Sequence, residues 1–449
     1  MNFTTSTTTL APPALGKSSH ADAAMRILKR LLRNFHSPTA LRLWNDATHH
    51  IGHAPPVFTL VVRDPAVLRK LVMQRNALVL ADAYFRGLID FEGDLYSVLR
   101  LKEHFQTLSL SLRERGALWL DALKLPGKPV TALPPAFPSN TQPAEDRFSH
   151  DHSRQSDAAA ISFHYDVSNE FYKLWLDEQM VYSCAYFETP NDTLEEAQRN
   201  KLDHICRKLR LKPGERFLDI GCGWGALVCW AARHYGVRAH GITLSQQQHD
   251  YAQQRIVTEG LGHLVTVELR DYRDLQGEAI YDKVASIGMF EHVGLANLPA
   301  YTATVHRILR PGGFFLNHGI THDEEGWSQN VDTEFINRYV FPDGELDTVS
   351  NIQRGMEHAG FEIHDVEGLR PHYALTLRHW VQRLEAAHDE ALQHVSETAY
   401  RVWRLYMAAC ALEFEAGGTG VYQILASRRC TAAPDLPLTR RDLYDPAYR

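Results

Sequence analysis

The sequence contains few cysteines, no long apolar run and no excess of positive charge. Its six cysteines form no C-x-x-C pair, which argues against a zinc knuckle and a disulfide framework. No stretch approaches the roughly 20 apolar residues that span a bilayer, and the polar N-terminus does not resemble a secretory signal. With 47 basic against 54 acidic residues the formal charge is -7, so we expect no nucleic-acid partner. We therefore expect a cytoplasmic protein that meets any lipid from the aqueous side.

Length and composition predict two domains. The 449 residues exceed one ordinary domain of about 150 residues, and 44% hydrophobic with 22% charged residues is the balance of a globular protein. Residues 126–160 are rich in Pro, Ser, Asp, Gln and His, which is typical of a flexible linker. We predict an N-terminal domain at 1–125, the linker at 126–160 and a second domain at 161–449.

The N-terminal domain is predicted to be small and mainly helical. From Ala21 to Phe35 apolar residues recur at helical spacing and basic residues occupy the other positions. Such a helix either packs on a core with its basic face in solvent or lies on an anionic lipid surface, and the pattern leaves both open. A strand-like run, Val57 to Val62, and a helix, Asp64–Gln74, follow.

The 24 histidines raise the hypothesis of a metal site. On a helix, the pair His49-His50 together with His53 would place two side chains on one face at i, i+4 spacing. No third ligand stands nearby, and the glutamate of a zinc-protease motif is missing. We therefore predict no metal.

Apolar strands alternate with amphipathic helices from residue 216 onward. This alternation predicts an α/β domain with a doubly wound, mostly parallel sheet and helices on both faces. The predicted strands are Arg216–Ile220, Arg238–Thr243, Val265–Glu268, Lys283–Ile287 and Gly313–His318. The predicted helices are Ala226–His234, Gln246–Glu259 and Leu298–Leu309.

A glycine-rich turn follows the first of these strands. Gly221, Gly223 and Gly225 let the backbone approach a ligand, and Asp219 precedes them by two positions. The G-x-G-x-G spacing departs from the dinucleotide fingerprint. An acidic residue suits a cationic methionine group, whereas a pyrophosphate would need the helix N-terminus. The segment thus favours S-adenosylmethionine (SAM) over NAD, the alternative being a plain turn between strand and helix.

The next two strands end in polar residues that suit the same cofactor. The second strand lacks a terminal acid, so Thr243, Leu244 and Ser245 would meet the ribose. After the third strand, Asp271 is predicted to accept from the adenine amino group and Tyr272 to cover the ring. Polar residues in this position are also common turn formers.

Several segments resemble the cyclopropane-fatty-acyl-phospholipid synthases, whose relatives include the mycolic acid cyclopropane synthases. The segments are Tyr182–Phe187, Leu218–Gly225, Thr243–Ser245, Asp271–Leu275, Gly288–Gly294 and Tyr339–Pro342. They span about residues 160–430, and Gly288–Gly294 (GMFEHVG) is unusually specific. Asp64–Leu101 also resembles the family's lipid-associated N-terminal domain. The resemblance implies a class I SAM-dependent methyltransferase with a Rossmann-like fold.

The resemblance also implies the site residues. It adds Tyr182, Ser183 and Gln248 to the cofactor site. The family's base is a bound bicarbonate ion, and its pocket would be formed by Cys184, Glu291, His318, the backbone of Ile320, and Tyr373. Because methylation of an alkene leaves a carbocation, aromatic faces are needed, and Tyr339 and Phe290 are the candidates. Taken singly, His318 also fits a core histidine and Cys184 a small buried residue.

The implied activity is transfer of a methylene group from SAM to the cis double bond of a phospholipid acyl chain. The implied setting is peripheral contact with the inner face of the membrane, with a homodimer as an option. An acyl channel is predicted from the region 327–341 and helices at Leu375–Ala387 and Val402–Glu415. Three alternatives stay open: an enzyme making a methyl or methylene branch, an amine N-methyltransferase, and a lipid-binding protein that has lost catalysis.

Overall fold

The computed structural model describes residues 19–74, 78–129, 168–325, 336, 339–340, 344–432 and 434–445. The chain divides into two compact units, Met1–Ala136 and Phe137–Arg449, each with its own hydrophobic core. Most of the predicted linker and most of the predicted channel region at 327–341 lie outside the described residues. Among the described residues, no helix combines the length and hydropathy that crossing a bilayer requires.

The first unit is built on a four-stranded sheet with the order β2-β1-β3-β4. Its strands are Thr39–Leu43 (β1), Thr48–Ile51 (β2), Phe58–Val62 (β3) and Ile89–Gly93 (β4). Its helices are Ser19–Leu31 (α1), Ala66–Gln74 (α2), Leu78–Phe85 (α3), Leu95–Leu99 (α4), Leu101–Thr107 (α5) and Leu112–Leu123 (α6). More described residues are helical than extended, as predicted, but only β3 was anticipated among the strands.

Helix α1 is a packed helix whose basic face forms ion pairs with α6. Ile27 and Leu28 are buried in the core of the unit, so this apolar face is not available to insert into lipid. On the other face, Arg26 and Arg30 pair with Asp121 of α6 at 2.8 and 2.6 Å. These contacts favour the packed interpretation of the amphipathic pattern.

The histidine pattern was assigned to the wrong secondary structure. His49 and His50 lie in strand β2 and are exposed, so the helical i, i+4 relation to His53 does not exist. Strand β2 is short and polar (THHI), and nothing in its sequence alternates strongly enough to predict a strand.

The second unit contains a seven-stranded sheet with the order β10-β11-β9-β8-β5-β6-β7. Its strands are Arg216–Ile220 (β5), Arg238–Thr243 (β6), Val265–Leu269 (β7), Tyr281–Ile287 (β8), Leu309–His322 (β9), Phe361–Gly368 (β10) and Thr419–Arg428 (β11). Strands β5 to β9 pair in parallel, and β11 runs antiparallel between β9 and β10. The doubly wound, mostly parallel sheet is confirmed.

Helices cover this sheet and begin at recognisable sequence signals. They are Asn169–Lys173 (α7), Leu194–Lys208 (α8), Ala226–Tyr235 (α9), Gln246–Thr258 (α10), Leu298–Ile308 (α11), Val349–His358 (α12), Arg370–Ala386 (α13), His388–His394 (α14), Glu397–Ala416 (α15) and Arg441–Tyr444 (α16). Helix α8 starts with a capping box between Thr193 and Glu196, and Ser245 caps α10 by accepting from the backbone N–H of Gln248. These caps fix the helices that border the carboxyl edge of the sheet.

Candidate cofactor site and active site

A cleft opens at the carboxyl ends of β5, β6 and β8, where ligands bind in open α/β sheets. Ten of the residues predicted to hold SAM line it. They are Tyr182, Ser183, Asp219, Gly221, Gly223, Thr243, Leu244, Gln248, Asp271 and Tyr272.

The other two residues predicted for the cofactor, Gly225 and Ser245, do not line the cleft but shape it. Gly221, Gly223 and Gly225 have φ values of 80°, 54° and 82°, which side-chain-bearing residues rarely adopt. A Cβ atom on Gly225 would also come within 3.1 Å of Ala252 Cβ in α10. Ser245 is buried as the cap of α10. Both act on the walls of the site.

Asp219 is a buried carboxylate that can accept a further hydrogen bond. Its side chain lies at the cleft, and its Oδ1 atom has no hydrogen-bond partner. Burial raises the pKa of Asp219 to about 7, although the nearby Lys201 ammonium opposes this. An unpartnered buried carboxylate is costly unless a cationic ligand arrives, so this residue fits the charged methionine end of SAM.

The ribose and adenine candidates are already held by neighbours. Thr243 Oγ1 donates to Gln248 Oε1 at 2.7 Å, so the two side chains form one unit beside the cleft. Asp271 accepts from Arg273 Nη2 at 2.6 Å and Arg273 Nε at 2.9 Å. For Asp271 to accept from the adenine amino group, as the sequence predicted, it must share its oxygens with Arg273.

Lys201 is a cleft residue that the sequence analysis missed. It is 2% exposed, and its Nζ atom donates to Ser183 Oγ at 2.9 Å. The signal was present: Leu194, Gln198, Lys201 and Ile205 follow helical spacing along the buried face of α8. A lysine on an apolar stripe calls for an explanation, because charged side chains are rarely buried unless paired.

Glu291 and Ile320 are joined directly. The backbone N–H of Ile320 donates to Glu291 Oε1 at 2.7 Å, and Glu291 Oε2 is buried without a partner. Burial raises the pKa of Glu291 to about 7, against the hydrogen bond from Ile320. Because Glu291 already takes this N–H, it is the carboxyl group, rather than the Ile320 amide, that keeps a free polar atom.

His318 precedes Ile320 by two residues on β9 and therefore lies on the same face of the strand. It is 1% exposed, and Gln423 Nε2 of β11 lies 3.2 Å from its Nδ1 atom. With Gln423 as the donor, His318 carries its proton on Nε2. Burial, reinforced by Lys201 and Lys208, lowers the pKa of His318 to about 3, so the ring is neutral at physiological pH.

Cys184 and Tyr373 meet the same edge of the sheet through Leu369. Cys184 Sγ lies 3.7 Å from the carbonyl oxygen of Leu369, which also accepts from the Tyr373 backbone N–H at 3.2 Å. Leu369 in turn donates to Val421, the residue paired with Ile320 in the β11–β9 ladder. Burial raises the pKa of the Cys184 thiol, so it stays protonated.

The two aromatic candidates differ in how much of their surroundings is described. Phe290 is buried with its ring against Gly319, where a Cβ atom would come within 2.0 Å of Phe290 Cε1. Tyr339 is buried, but most of its chain neighbours lie outside the described residues. None of the six predicted catalytic residues lines the cofactor cleft itself.

An aromatic cluster fixes Tyr182 at the cleft. Its ring centroid lies 5.2 Å from that of Trp380 and 5.4 Å from that of Trp175. Trp175 and Trp380 are fully buried. The sequence predicts Tyr182 as a site residue, but no pattern in it indicates the aromatic side chains that support it.

Comparison with known proteins identifies the family. A family model described as mycolic acid cyclopropane synthetase matches residues 152–424. The chain belongs to this family. A second model, described as a domain of unknown function, matches residues 27–108. The resemblance carried by the segments around the glycine loop and Glu291 is thereby confirmed.

Two relatives are similar to this chain at more than 40% identity. A probable fatty acid methyltransferase of Pseudomonas putida is 42% identical over 422 residues, covering 92% of this chain and 98% of that protein. The cyclopropane-fatty-acyl-phospholipid synthase of Escherichia coli strain K12 is 43% identical over 265 residues, covering 59% of this chain and 66% of the synthase.

Solved structures confirm the class I fold. Mycolic acid cyclopropane synthase CmaA1, in complex with S-adenosylhomocysteine (SAH) and CTAB, is 35% identical with a TM-score of 0.57. The match covers 60% of this chain and 98% of that structure. The chain is a SAM-dependent methyltransferase.

Proposed function

We propose that this methyltransferase adds a methylene group to the cis double bond of an unsaturated phospholipid acyl chain and closes a cyclopropane ring. One observation carries the proposal: the buried, half-satisfied carboxyl group of Glu291 lies on the edge of the sheet that also holds His318 and Cys184. The similarity to a cyclopropane-fatty-acyl-phospholipid synthase supports the lipid substrate.

The cleft residues are suited to hold and orient the cofactor. Asp219, with its free Oδ1 atom, would bind the ammonium group of SAM, and Tyr182 and Ser183 would close the same end of the cleft. Bound SAM supplies an electrophilic methyl group. The protein must fix the alkene in line with that group and exclude water, since a poor nucleophile reacts only at near-attack distance.

The residues around Glu291 and His318 are suited to hold an anionic base. We propose that Glu291, His318, Cys184 and Tyr373 hold a bicarbonate ion, while the backbone N–H of Ile320 holds the Glu291 carboxyl group in place. Bound bicarbonate would supply the base that the reaction needs. With Gln423 donating to Nδ1, His318 keeps an Nε2–H that can donate, and a Glu291 carboxyl group with a pKa of about 7 is partly protonated near neutrality and can donate as well. Two such donors stabilise an anion in a buried site.

A second candidate product is a methyl-branched acyl chain. One relative, which covers 92% of this chain, is named a probable fatty acid methyltransferase, and its name specifies no ring. Ring and branch would arise from the same carbocation and differ in which proton leaves. Contact with the inner face of the membrane and a homodimer stay predictions, and a phospholipid substrate requires the former.

Mass spectrometry of lipids tests the proposal. The chain is expressed in a host that lacks such an enzyme, beside a Cys184→Ser, Glu291→Gln double variant. A gain of one CH2 on unsaturated chains that resists hydrogenation and is absent in the variant supports the ring. A gain that hydrogenation extends indicates a branched product that keeps a double bond, with either a methyl or a methylene group. No gain refutes the lipid activity.

A further inference from the structure

Three lysines of the second unit are almost fully buried, and they differ in their partners. Lys208 lies 2.5 Å from Glu367, and Lys283 lies 3.9 Å from Glu215. Lys201, at 2% exposure, has a single hydrogen bond, to Ser183 Oγ. Within the described part of the chain, no carboxylate lies within 4.0 Å of its Nζ atom. Lys201 is thus the buried cation whose counter-ion is missing.

The position of Lys201 limits what that counter-ion can be. Its side chain lines the cofactor cleft together with Ser183, Tyr182 and Asp219. An isolated ammonium group loses its hydration on burial and is stabilised only by an anion or by several acceptors. One hydroxyl oxygen does not suffice, so an anion that enters this cleft would be favoured beside Lys201.

The methionine end of SAM carries an ammonium group and a carboxylate group. These are the partners that Asp219 and Lys201 lack in the cleft. Asp219 Oδ1 is an unpartnered acceptor for its ammonium group. We propose that Lys201, with the Ser183 hydroxyl beside it, is the binding site for the methionyl carboxylate of SAM. Lys201 and Asp219 would together recognise the amino-acid end of the cofactor. This end distinguishes SAM from other adenosine derivatives. The proposal rests on SAM dependence and not on the acyl substrate.

The protonation of Lys201 agrees with this arrangement. Burial lowers the pKa of Lys201 to about 8, and the surrounding carboxylates of Asp177 and Asp219 oppose the shift only in part. The charge of Lys201 in turn helps to lower the pKa of His318. Asp177 is itself engaged by the backbone N–H groups of Gln179 and Val181. A carboxylate arriving at Nζ would raise the pKa and draw a proton onto the lysine.

Calorimetry with two ligands tests the assignment. SAM is compared with decarboxylated SAM, which keeps the ammonium and sulfonium groups and lacks only the carboxylate. We expect the wild-type protein to bind SAM roughly 10- to 100-fold more tightly, which is the scale of a charge-assisted hydrogen bond. In Lys201→Met that preference should shrink to within about threefold, because SAM binding weakens while binding of decarboxylated SAM does not.

A control and a second readout keep the test decisive. Lys283→Met removes another buried lysine outside the cleft and should keep the full preference for SAM.

At a pH of about 8.5, the dependence of the binding enthalpy on buffer should show greater proton uptake by the wild type than by Lys201→Met. Equal wild-type affinity for the two ligands, or a preference that survives in Lys201→Met, would overturn the assignment. Failure of the lipid assay would leave it standing.

Discussion

Glu291 accepts the backbone N–H of Ile320 through one carboxyl oxygen, at 2.7 Å, and keeps the other oxygen buried and unpartnered. This relationship ties a loop residue that follows β8 to the end of β9. It predicts a specific role, because a free carboxyl atom in a buried pocket can hold a ligand or pass a proton, whereas a structural glutamate would use both oxygens.

Glu291→Gln should separate cofactor binding from turnover. The amide can still accept from Ile320, so the loop and the cleft should keep their shape, and the affinity for SAM should change by less than about threefold. Turnover should fall roughly a hundredfold or more, on the scale of a lost acid–base group. Calorimetry measures the first quantity and product formation the second. Equal losses in both would contradict the role.

The same variant should change how stability depends on pH. The pKa of Glu291 is raised from 4.5 to about 7, so between these values the folded protein holds a proton that the unfolded chain has lost. Its contribution to stability is therefore present at low pH and declines as pH rises through this window, by about 3 kcal/mol in all. Compared with the wild type, Glu291→Gln should gain several degrees in melting temperature between about pH 5 and about pH 8. A constant difference across that range would refute the raised pKa.

The central strands could be predicted because their sequence patterns favour a strand and do not fit a helix. Strands β5 and β6 were predicted with the bounds that the structure shows, because β5 ends at the glycine-rich turn and β6 ends just before Ser245, the cap of α10. Strands β10 and β11 were missed. Phe361–Gly368 mixes charged with apolar residues because much of β10 is only partly buried. Propensity is weak for such strands, and pairing with β11 decides their structure.

Some residues of the candidate site could likewise be predicted from the sequence, and others could not. Asp219, at the end of β5, and the glycines and Glu291, which follow strands, could be found because they belong to recognisable motifs. Lys201 could not be assigned a role, because its function depends on the absence of a carboxylate neighbour, which no sequence spacing reveals. The engagement of Asp271 by Arg273 was missed because sequence spacing does not show which neighbouring side chains form hydrogen bonds.

Gly241→Ala should weaken SAM binding without touching the cofactor. A Cβ atom on Gly241 of β6 would come within 2.8 Å of Cys222 Sγ and 2.9 Å of Cys222 Cβ. Cys222 stands between two glycines of the loop, so relieving this overlap must displace the loop. Overpacking of this kind costs about 1–3 kcal/mol, and we expect the dissociation constant for SAM to rise roughly tenfold.

The matched control for this variant is Gly262→Ala, where no atom lies within 4 Å of the added Cβ. It should bind SAM like the wild type. Calorimetry that finds no difference between the two variants would show that the contact between Gly241 and Cys222 does not position the loop.

Glu367→Gln should destabilise the second unit at neutral pH. Glu367 Oε2 lies 2.5 Å from the Nζ atom of fully buried Lys208 and 2.9 Å from His204 Nε2. Burial alone would raise the pKa of Glu367, but the hydrogen bond from His204 and the charge of Lys208 lower it to about 2. Removing the charge leaves Lys208 with Asp365 at 3.5 Å, and losing one partner of a buried ion pair costs about 3 kcal/mol or more.

Thermal unfolding at several pH values checks this prediction. Since the pKa of Glu367 is lowered, its contribution is present above a pH of about 4.5 and is lost as pH falls toward about 2. The difference between the wild type and Glu367→Gln should therefore shrink in acid. Glu362→Gln, an exposed position on the same strand, is the control and should melt like the wild type. A Glu367→Gln protein as stable as this control would refute the network.

Gly319→Ala should disturb Glu291 through its neighbour in the chain. The added Cβ would come within 2.0 Å of Phe290 Cε1 and 2.6 Å of Cζ, so the buried ring must move. Phe290 directly precedes Glu291, and its displacement would pull the carboxyl group away from the Ile320 N–H. We expect a loss of about 2 kcal/mol or more in stability together with a large loss of turnover.

Two companions make the Gly319→Ala prediction decisive. Gly355→Ala, in helix α12 with open space around the added Cβ, should be neutral or stabilise by up to about 1 kcal/mol. Adding Phe290→Leu to Gly319→Ala makes room for the methyl group and should restore part of the stability, giving a non-additive double-mutant cycle. Because the leucine lacks the aromatic face, turnover should not recover with it. If the effects of Gly319→Ala and Phe290→Leu on the melting temperature are additive, the Phe290 ring does not need the space that Gly319 leaves open. The proposed route from that contact to Glu291 would then be wrong.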